Sequence, residues 1–368
     1  MSNMEGADKL RAYLRTIRDA MQAASTVHCV VGNESADLDS MASAVMHAYS
    51  RGSTNAQNDA AFVPLINIPR ADFKLRTEAV FLFNEAGVEP DLLLFADEVD
   101  LAKLHSEGRL KLSLVDHNKP AAAHSKFESA VAEIVDHHAD EGLYHDAALR
   151  VIEPVGSTAT LVAEAILDGH EDLLDEGATK LLLGTILLDT VNLDPEAKRV
   201  TPKDERVAAK LLALSGVDQQ ELFDAVQSEK FNVSALDTAD LLRKDYKEWQ
   251  MGEYRIGISS VLLSVGDWLK KDPALSGALT TYAEARNLDL LLAMNAYTAP
   301  KFTRELVVYC PDQSLREKVL QFLEQSELQL QSIDAGDIDE STALYFQGNP
   351  AISRKKLQPM LAEFLVKL

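Results

Sequence analysis

Residues 25–40 read STVHCVVGNESADLDS. Ser25 to Gly32 is short, β-branched and apolar, the composition of a strand buried on both faces of a parallel sheet. A polar loop follows, and a helical segment, DSMASAVMHAYSRG, opens at Asp39. A buried strand passing through a loop into a helix is the unit from which open α/β sheets are built, and ligands bind beyond the carboxyl ends of such strands. Asp37 and Asp39 stand at that end. Capping of the helix N-terminus accounts for one acid there. Two acids separated by one residue can also aim both carboxylates at one point, each at a separate cation. Ser40 can cap the helix in either case.

Outward from this stretch the pattern repeats. AAFVPLINIP (60–69) and DLLLFAD (91–97) read as strands, as do LKLSLVD (110–116) and AVAEIVD (130–136), with helices or loops between most of them. The expected fold class is therefore α/β, an open and largely parallel sheet. Two strands end in Asp-His, in VDHN (115–118) and VDHH (135–138). A lone Asp-His is more often a structural pair, but two such strand ends in a chain with nine histidines point to a shared site. LLLGTILLDTVNL (181–193) adds Asp189, the weakest member because an Asp at a helix end is common. Asp37, Asp39, Asp116, Asp136, His137, His138 and Asp189 suit a pair of divalent cations, and such a pair suits attack of hydroxide on phosphorus.

A chain of 368 residues predicts two domains. Residues 1–216 read as the metal-binding domain, 217–240 as a polar, helical connection and 241–368 as a smaller mixed α/β unit. VGSTATLVAEAILDGH and EGATKLLLGTILLDT look like successive helices, and TPKDERVAAKLLALSG like a third, capped near Thr201 and stopped by Gly216. In the second part YRIGISSV, LDLLLAMNAYT and RELVVYC read as strands. Leu10, Tyr13, Leu14, Ile17 and Met21 in MEGADKLRAYLRTIRDAMQ line one face of a docked amphipathic helix rather than a secretory signal.

The net charge of -22 argues against nucleic acid as a partner. It also requires that any phosphate site be made positive locally, by metals or converging Lys and Arg. No apolar run approaches the roughly 20 residues of a membrane span. Two cysteines, Cys29 and Cys310, fit a reducing compartment, so the cytoplasm is the expected location.

The four acidic motifs, in this order, resemble those of the DHH phosphoesterase superfamily, named for the triplet found here at Asp136-His137-His138. The resemblance runs from about Val27 to Met360 and is greatest to the branch with a DHHA2 domain: exopolyphosphatases, family II inorganic pyrophosphatases and prune-like proteins. It implies an N-terminal DHH domain, a smaller DHHA2 domain and an active site in the cleft between them. It assigns Asp37 to one metal, Asp39 to the other and Asp116 to both. His137 and Asp189 would complete the second ion's shell, His138 would face the substrate phosphate and Asp136 would orient the histidines. Pyrophosphatases carry His where this chain has Asn33, which leaves Asn33 a weak ligand at most and the first site less selective for Mn²⁺ over Mg²⁺. Asn at that position with an intact His138 is the combination expected of a eukaryotic exopolyphosphatase.

SRKK (353–356) matches a DHHA2 segment whose cations contact phosphate, which nominates Arg354 and Lys355; the alternative is a solvated basic turn. KDYKEW (244–249) nominates Lys247 in the same way, against a helix-surface lysine beside Glu248. The glycine-rich GGGH motif of the nuclease members does not occur in the sequence. The implied reaction is release of orthophosphate from linear inorganic polyphosphate, with two divalent ions as cofactors (Mg²⁺ or Mn²⁺, with Co²⁺ a further candidate). Asp116, His138 and Arg354 are the expected catalytic residues. The expected protein is a monomer with no membrane partner. Pyrophosphate hydrolysis is the enzymatic alternative. A prune-like phosphodiesterase or interaction protein is the other, disfavoured by the intact ligand set and by a chain that ends soon after its second domain.

Overall fold

In the computed structural model the apolar, β-branched runs become the strands of two sheets, each in its own compact unit: Met1–Lys230 and Phe231–Leu368. The structure describes residues 9–54, 59–298, 301–334, 336 and 338–368. Residues 4–8, which open the expected first helix, lie outside them.

The first unit is built on β1 (Thr26–Val31), β2 (Ala60–Ile66), β3 (Leu94–Phe95), β4 (Leu110–Val115), β5 (Val131–Asp136) and β6 (Leu149–Ile152). All pair in parallel, in the order β3-β2-β1-β4-β5-β6. Strand order reverses between β1 and β4, which opens a crevice at their carboxyl ends. Val31 pairs with Leu114 and Val115 with Val135, so the residues after β1 and β4 and the end of β5 lie side by side.

DLLLFAD, expected as a full strand, contributes only the two residues of β3. Pro90 starts a 3-10 turn over Pro90–Leu92, and the Arg70 guanidinium takes the carbonyls of Pro90 and Leu93. The short β6 was not distinguished by the sequence pattern.

Helix α1 (Lys9–Ala23) buries Leu10, Leu14 and Ile17, as its apolar stripe predicts. In α2 (Leu38–Thr54) every side chain from Leu38 to Tyr49 is buried, so its polar members need internal partners. Ser40, Ser43 and His47 recur on one face and find carboxylates there: Asp116, Asp39 and Glu133 respectively. Gly32 makes the close approach of α2 feasible, because a Cβ at that position would sit 2.6 Å from Ser40 Cβ. The short helices α3 (Arg70–Phe73), α4 (Thr77–Glu85) and α5 (Leu101–Ser106) occupy the crossings between β2 and β4.

Helices α6 (Thr158–Gly169), α7 (Glu176–Asp189) and α8 (Pro202–Ser215) follow the sheet. Thr201 and Asp204 form a reciprocal capping box at the start of α8, and Gly216 ends it at φ 65°. The stretch 217–240, read as a connection, is mostly helix with two allegiances. In α9 (Gln219–Phe231) Leu222 and Val226 bury in the first core, which carries the first unit past Gly216, whereas α10 (Thr238–Lys244) belongs to the second unit.

The second unit holds a mixed sheet of β7 (Tyr246–Met251), β8 (Tyr254–Val261), β9 (Leu290–Tyr297), β10 (Thr303–Tyr309), β11 (Leu330–Ser332) and β12 (Thr342–Gln347). Its order is β11-β12-β10-β9-β8-β7, with β8 and β9 parallel and the other pairs antiparallel. Helices α11 (Val265–Lys271), α12 (Leu275–Arg286), α13 (Gln313–Glu324) and α14 (Arg354–Leu365) complete it. The indole N–H of the fully buried Trp268 donates to Thr238 Oγ at 3.1 Å, tying α11 to α10. No helix among the described residues is long and apolar enough to cross a membrane.

Candidate metal centre

The polar loops after β1, β4 and β5 converge because their strands are neighbours in register. Asp116 follows β4 at φ 61°, a left-handed conformation that Asp tolerates better than most residues, and is 2 % exposed. Its Oδ2 accepts from Ser40 Oγ at 2.6 Å and from Asn33 Nδ2 at 2.8 Å. Its Oδ1 lies 3.3 Å from His137 Nε2 and 3.7 Å from His138 Nδ1. Ligand atoms of Asp116, His137 and His138 fall within 4.8 Å of one another, close enough to share an ion.

Asp39, in the first turn of α2, accepts the backbone N–H groups of Thr158 and Ala159 at 2.7 and 2.8 Å, so the N-terminus of α6 faces its charge. Asp37 Oδ1 accepts from the Ser40 backbone N–H at 3.1 Å, as a capping carboxylate does, and its side chain also lines the cavity. The capping and cavity-lining readings of this residue are compatible.

Asp189 ends α7. Its Oδ2 is buried without a hydrogen-bond partner, as is the neighbouring Ser157 Oγ. A buried carboxylate oxygen left unpaired is costly in a native structure. Asp189 also lines a cavity of about 390 Å³, together with Asp37, Asp39, Asp116 and His137.

Electrostatics agree with that geometry. Asp37 is exposed at its outer side, but the protein around its carboxylate desolvates it and raises its pKa, and the charge on Asp116 adds to the effect. Burial and then the charges on Asp116 and Asp189 hold Asp39 well above the carboxylate range. Burial pushes Asp189 up to about 7, the nearby Ser157 hydroxyl working against it and Asp37 and Asp116 adding to it. Burial pulls His137 down, but its contacts with Asp116, the Val155 carbonyl and Asp39 prevail and raise it to about 10. His137 alone does not balance these acids, and cations at the cavity would supply the missing charge.

The histidines are oriented through their other nitrogens. His137 Nδ1–H donates to the Val155 carbonyl at 2.9 Å, leaving Nε2 for the cavity. His138 Nδ1–H donates to Asp136 Oδ1 at 2.8 Å, and its side chain is 55 % exposed. Asp136 is fully buried and also takes the backbone N–H groups of His137 and His138. Burial works to raise its pKa, and the bonds from His138 and Asn118 lower it. Asn118 links this acid to the loop beyond, donating to Asp136 and Ala139 and accepting from Glu141 N. His117 donates from Nδ1 to the Val115 carbonyl and faces away from this exchange.

Asn33 presents its amide nitrogen to Asp116, while its oxygen accepts from Ser35 N and Ser35 Oγ. The atom a cation would need is turned aside.

In the second unit Lys247 lies on β7, opposite Ile258 of β8, rather than on a helix. Arg354 opens α14 after Ser353, so SRKK is a helix start rather than a free turn. Its guanidinium donates to the Asp245 carbonyl at 2.6 Å and to Asp245 Oδ1 at 2.5 Å, and reaches the Ile258 carbonyl at 3.5 Å. Lys247 and Arg354 thus meet the β7–β8 pair at one place, and Lys355, next to Arg354 in sequence, is exposed.

The family model described as DHH family, N-terminal domain, matches residues 28–186, and that described as DHHA2 domain matches 224–364. Exopolyphosphatase PRUNE1 of Rattus norvegicus is 38 % identical over 362 residues, covering 96 % of this chain and 78 % of that protein. The chain belongs to the DHH family. Exopolyphosphatase PRUNE1 of Homo sapiens is 36 % identical to this DHH protein over 358 residues, covering 96 % and 79 %. A manganese-dependent inorganic pyrophosphatase of Methanothrix thermoacetophila is 24 % identical over 274 residues, covering 72 % and 79 %.

Two residues of this DHH protein escaped the sequence reading. Lys198 and Arg199 line the acidic cavity from the loop after α7. A cation in a loop carries no periodicity and no motif, so only the folded chain shows its neighbours.

Proposed function

We infer that this protein is a metal-dependent exopolyphosphatase, releasing orthophosphate from the end of linear polyphosphate. The observation that carries the reading is the cavity of under-compensated carboxylates, Asp39 and Asp116 deeply buried among them, formed at the strand-order reversal. Sequence likeness to the PRUNE1 exopolyphosphatases supplies the substrate class.

Asp37, Asp39, Asp116, His137 and Asp189 would hold two divalent ions, Mn²⁺ or Mg²⁺. Such a pair makes a strong nucleophile from water at neutral pH and draws charge from phosphate oxygens. Asp136 fixes the His138 ring so that its Nε2 faces outward, where it can donate to a phosphate oxygen. Asn33 and Ser40 hold Asp116 in place by donating to its Oδ2. Arg354, Lys355 and Lys247 supply positive charge for phosphates of the chain. Three basic residues in the first turn of α14 oppose the helix dipole, an arrangement that binding an anion would stabilise. Both cysteines are buried and unpaired, which agrees with a reducing compartment such as the cytoplasm.

The experiment compares phosphate release from pyrophosphate, tripolyphosphate and long polyphosphate, with Mg²⁺ and with Mn²⁺. Polyphosphates are expected to turn over faster than pyrophosphate. Fastest cleavage of pyrophosphate would instead make the protein a pyrophosphatase, and no release under either metal would remove the enzymatic reading.

A further inference from the structure

Most basic side chains of this acidic protein are engaged. Arg109, Arg150, Lys203 and Arg354 each pair with a carboxylate. Lys198 and Arg199 are different: both are exposed, and neither makes a side-chain hydrogen bond or ion pair among the described residues. They line the cavity that holds Asp37, Asp39, Asp116 and Asp189, yet stay apart from all four.

Their place is built into the backbone. After Asp189 the chain turns through three consecutive left-handed residues, Val191, Asn192 and Leu193, at φ 53°, 58° and 62°. Lys198 is left-handed again at φ 55°. Such conformations are strained for residues other than glycine and persist only where the surroundings over-determine them. The surroundings here are specific. A Cβ on Gly156 would lie 2.8 Å from the Arg199 carbonyl, so glycine lets this segment rest against the head of α6. The fully buried Asp204 then clamps both sides, accepting from Gly156 N at 2.9 Å, Thr160 Oγ at 2.6 Å and Thr201 N at 2.8 Å. The loop that presents the two cations is therefore anchored within two residues of Arg199.

Unpaired cations held opposite a cluster of carboxylates, with open volume between them, match a ligand that bridges the two. It must be anionic toward Lys198 and Arg199 and metal-bridged toward the acids. We propose that Lys198 and Arg199 bind the phosphate next to the one being hydrolysed, so that the first unit by itself grips a phosphoanhydride on both sides of the scissile bond. This assignment rests on the polyphosphate reading of the cavity. Arg199 can engage two oxygens at once, and Lys198 supplies a point charge.

The test uses the full chain with Lys198→Ala, Arg199→Ala, the double variant, Arg199→Lys, and Lys210→Ala as a control for net charge, Lys210 being an exposed residue facing Asp168. Two quantities are measured: the tripolyphosphate KM, and calorimetric affinity of the Mn²⁺-loaded protein for imidodiphosphate, which resists hydrolysis. Each alanine variant should raise KM and weaken imidodiphosphate binding by about 10-fold, with Mn²⁺ stoichiometry unchanged. Arg199→Lys should recover part of the loss, and Lys210→Ala should change neither quantity. Wild-type KM and affinity in the double variant would overturn the assignment. Should the wild-type protein cleave no polyphosphate and yet bind imidodiphosphate through Lys198 and Arg199, the anion site stands and the exopolyphosphatase reading falls.

Discussion

Helix α2 connects two acidic clusters that solve the same electrostatic problem in opposite ways. Near its C-terminal half, Glu133 is 1 % exposed and accepts from His47 Nε2 at 2.9 Å, Ser113 Oγ at 3.1 Å and Arg51 Nη2 at 2.6 Å. Burial works to raise the Glu133 pKa, but His47 and Arg51 prevail and bring it to about 2. Near the N-terminal end, Asp37, Asp39 and Asp189 are shifted upward, first by desolvation and then because they face other carboxylates, Asp116 above all, more than any cation. The deepest acids of the cluster at the N-terminal end, Asp39 and Asp116 at 4 % and 2 % exposed, match Glu133 in burial, although Asp189 is half-buried and Asp37 exposed. What differs is whether the chain itself supplies the counter-charge. A cluster that does is structural; a cluster that does not is shaped for ions from solution.

The sharpest way to break this contrast is to remove the acid that touches both histidines. Asp116→Asn keeps the shape and tolerates the left-handed backbone, but removes one negative charge from the cavity. Phosphate release should fall by on the order of 10³-fold or more, and Mn²⁺ uptake measured by calorimetry should drop with it. Unchanged Mn²⁺ uptake and activity would place the ions elsewhere.

The matching change at the other cluster is Glu133→Ala. It leaves His47 and Arg51 without their shared acceptor, and unfolding free energy should fall by about 3 kcal/mol. Mn²⁺ affinity of the folded protein should hold. The same residue sets a pH signature. Its folded pKa of about 2 lies below the ordinary 4.5, so the stability it contributes is complete above pH 4.5. That stability is lost as pH falls from 4.5 toward 2, because the unfolded chain takes up the proton first. Denaturant melts of metal-free protein across this window should therefore slope less in the Glu133→Gln variant than in the wild type. Equal slopes would show that Glu133 is not the paired, ionised group described here.

Much of the first cluster was readable in the sequence because its members sit at ends of strands whose apolar, β-branched runs stand out. Val30-Val31, Leu114-Val115 and Ile134-Val135 mark the strand ends, and the acids follow or complete them. Edge strands were harder: Tyr246–Met251 alternates charges with aromatics, and Lys247 could be read there as a helix-surface residue. The Glu133 network was invisible because His47, Arg51, Ser113 and Glu133 lie on three separate elements and no local pattern links them. Lys198 and Arg199 went unread for the related reason that their partner is a cavity rather than a sequence neighbour.

The orientation of Asn33 was equally out of reach, and it yields the finest test of the contrast. Its position in the motif suggested a weak ligand, whereas its Nδ2 donates to Asp116 at 2.8 Å and its oxygen is occupied by Ser35. A donor to the acid that faces both histidines acts through that acid, and loss of such a group costs roughly 10- to 100-fold in metal affinity. Ser40 Oγ continues to hold the same Oδ2 at 2.6 Å, so Asn33→Ala should fall at the low end, about 10-fold weaker for Mn²⁺. Asn33→His separates the two roles. An imidazole offers a better ligand atom but loses the amide that holds Asp116, so a gain in Mn²⁺ affinity would restore Asn33 to the ligand position. A loss comparable to that of alanine would establish it as the group that positions Asp116.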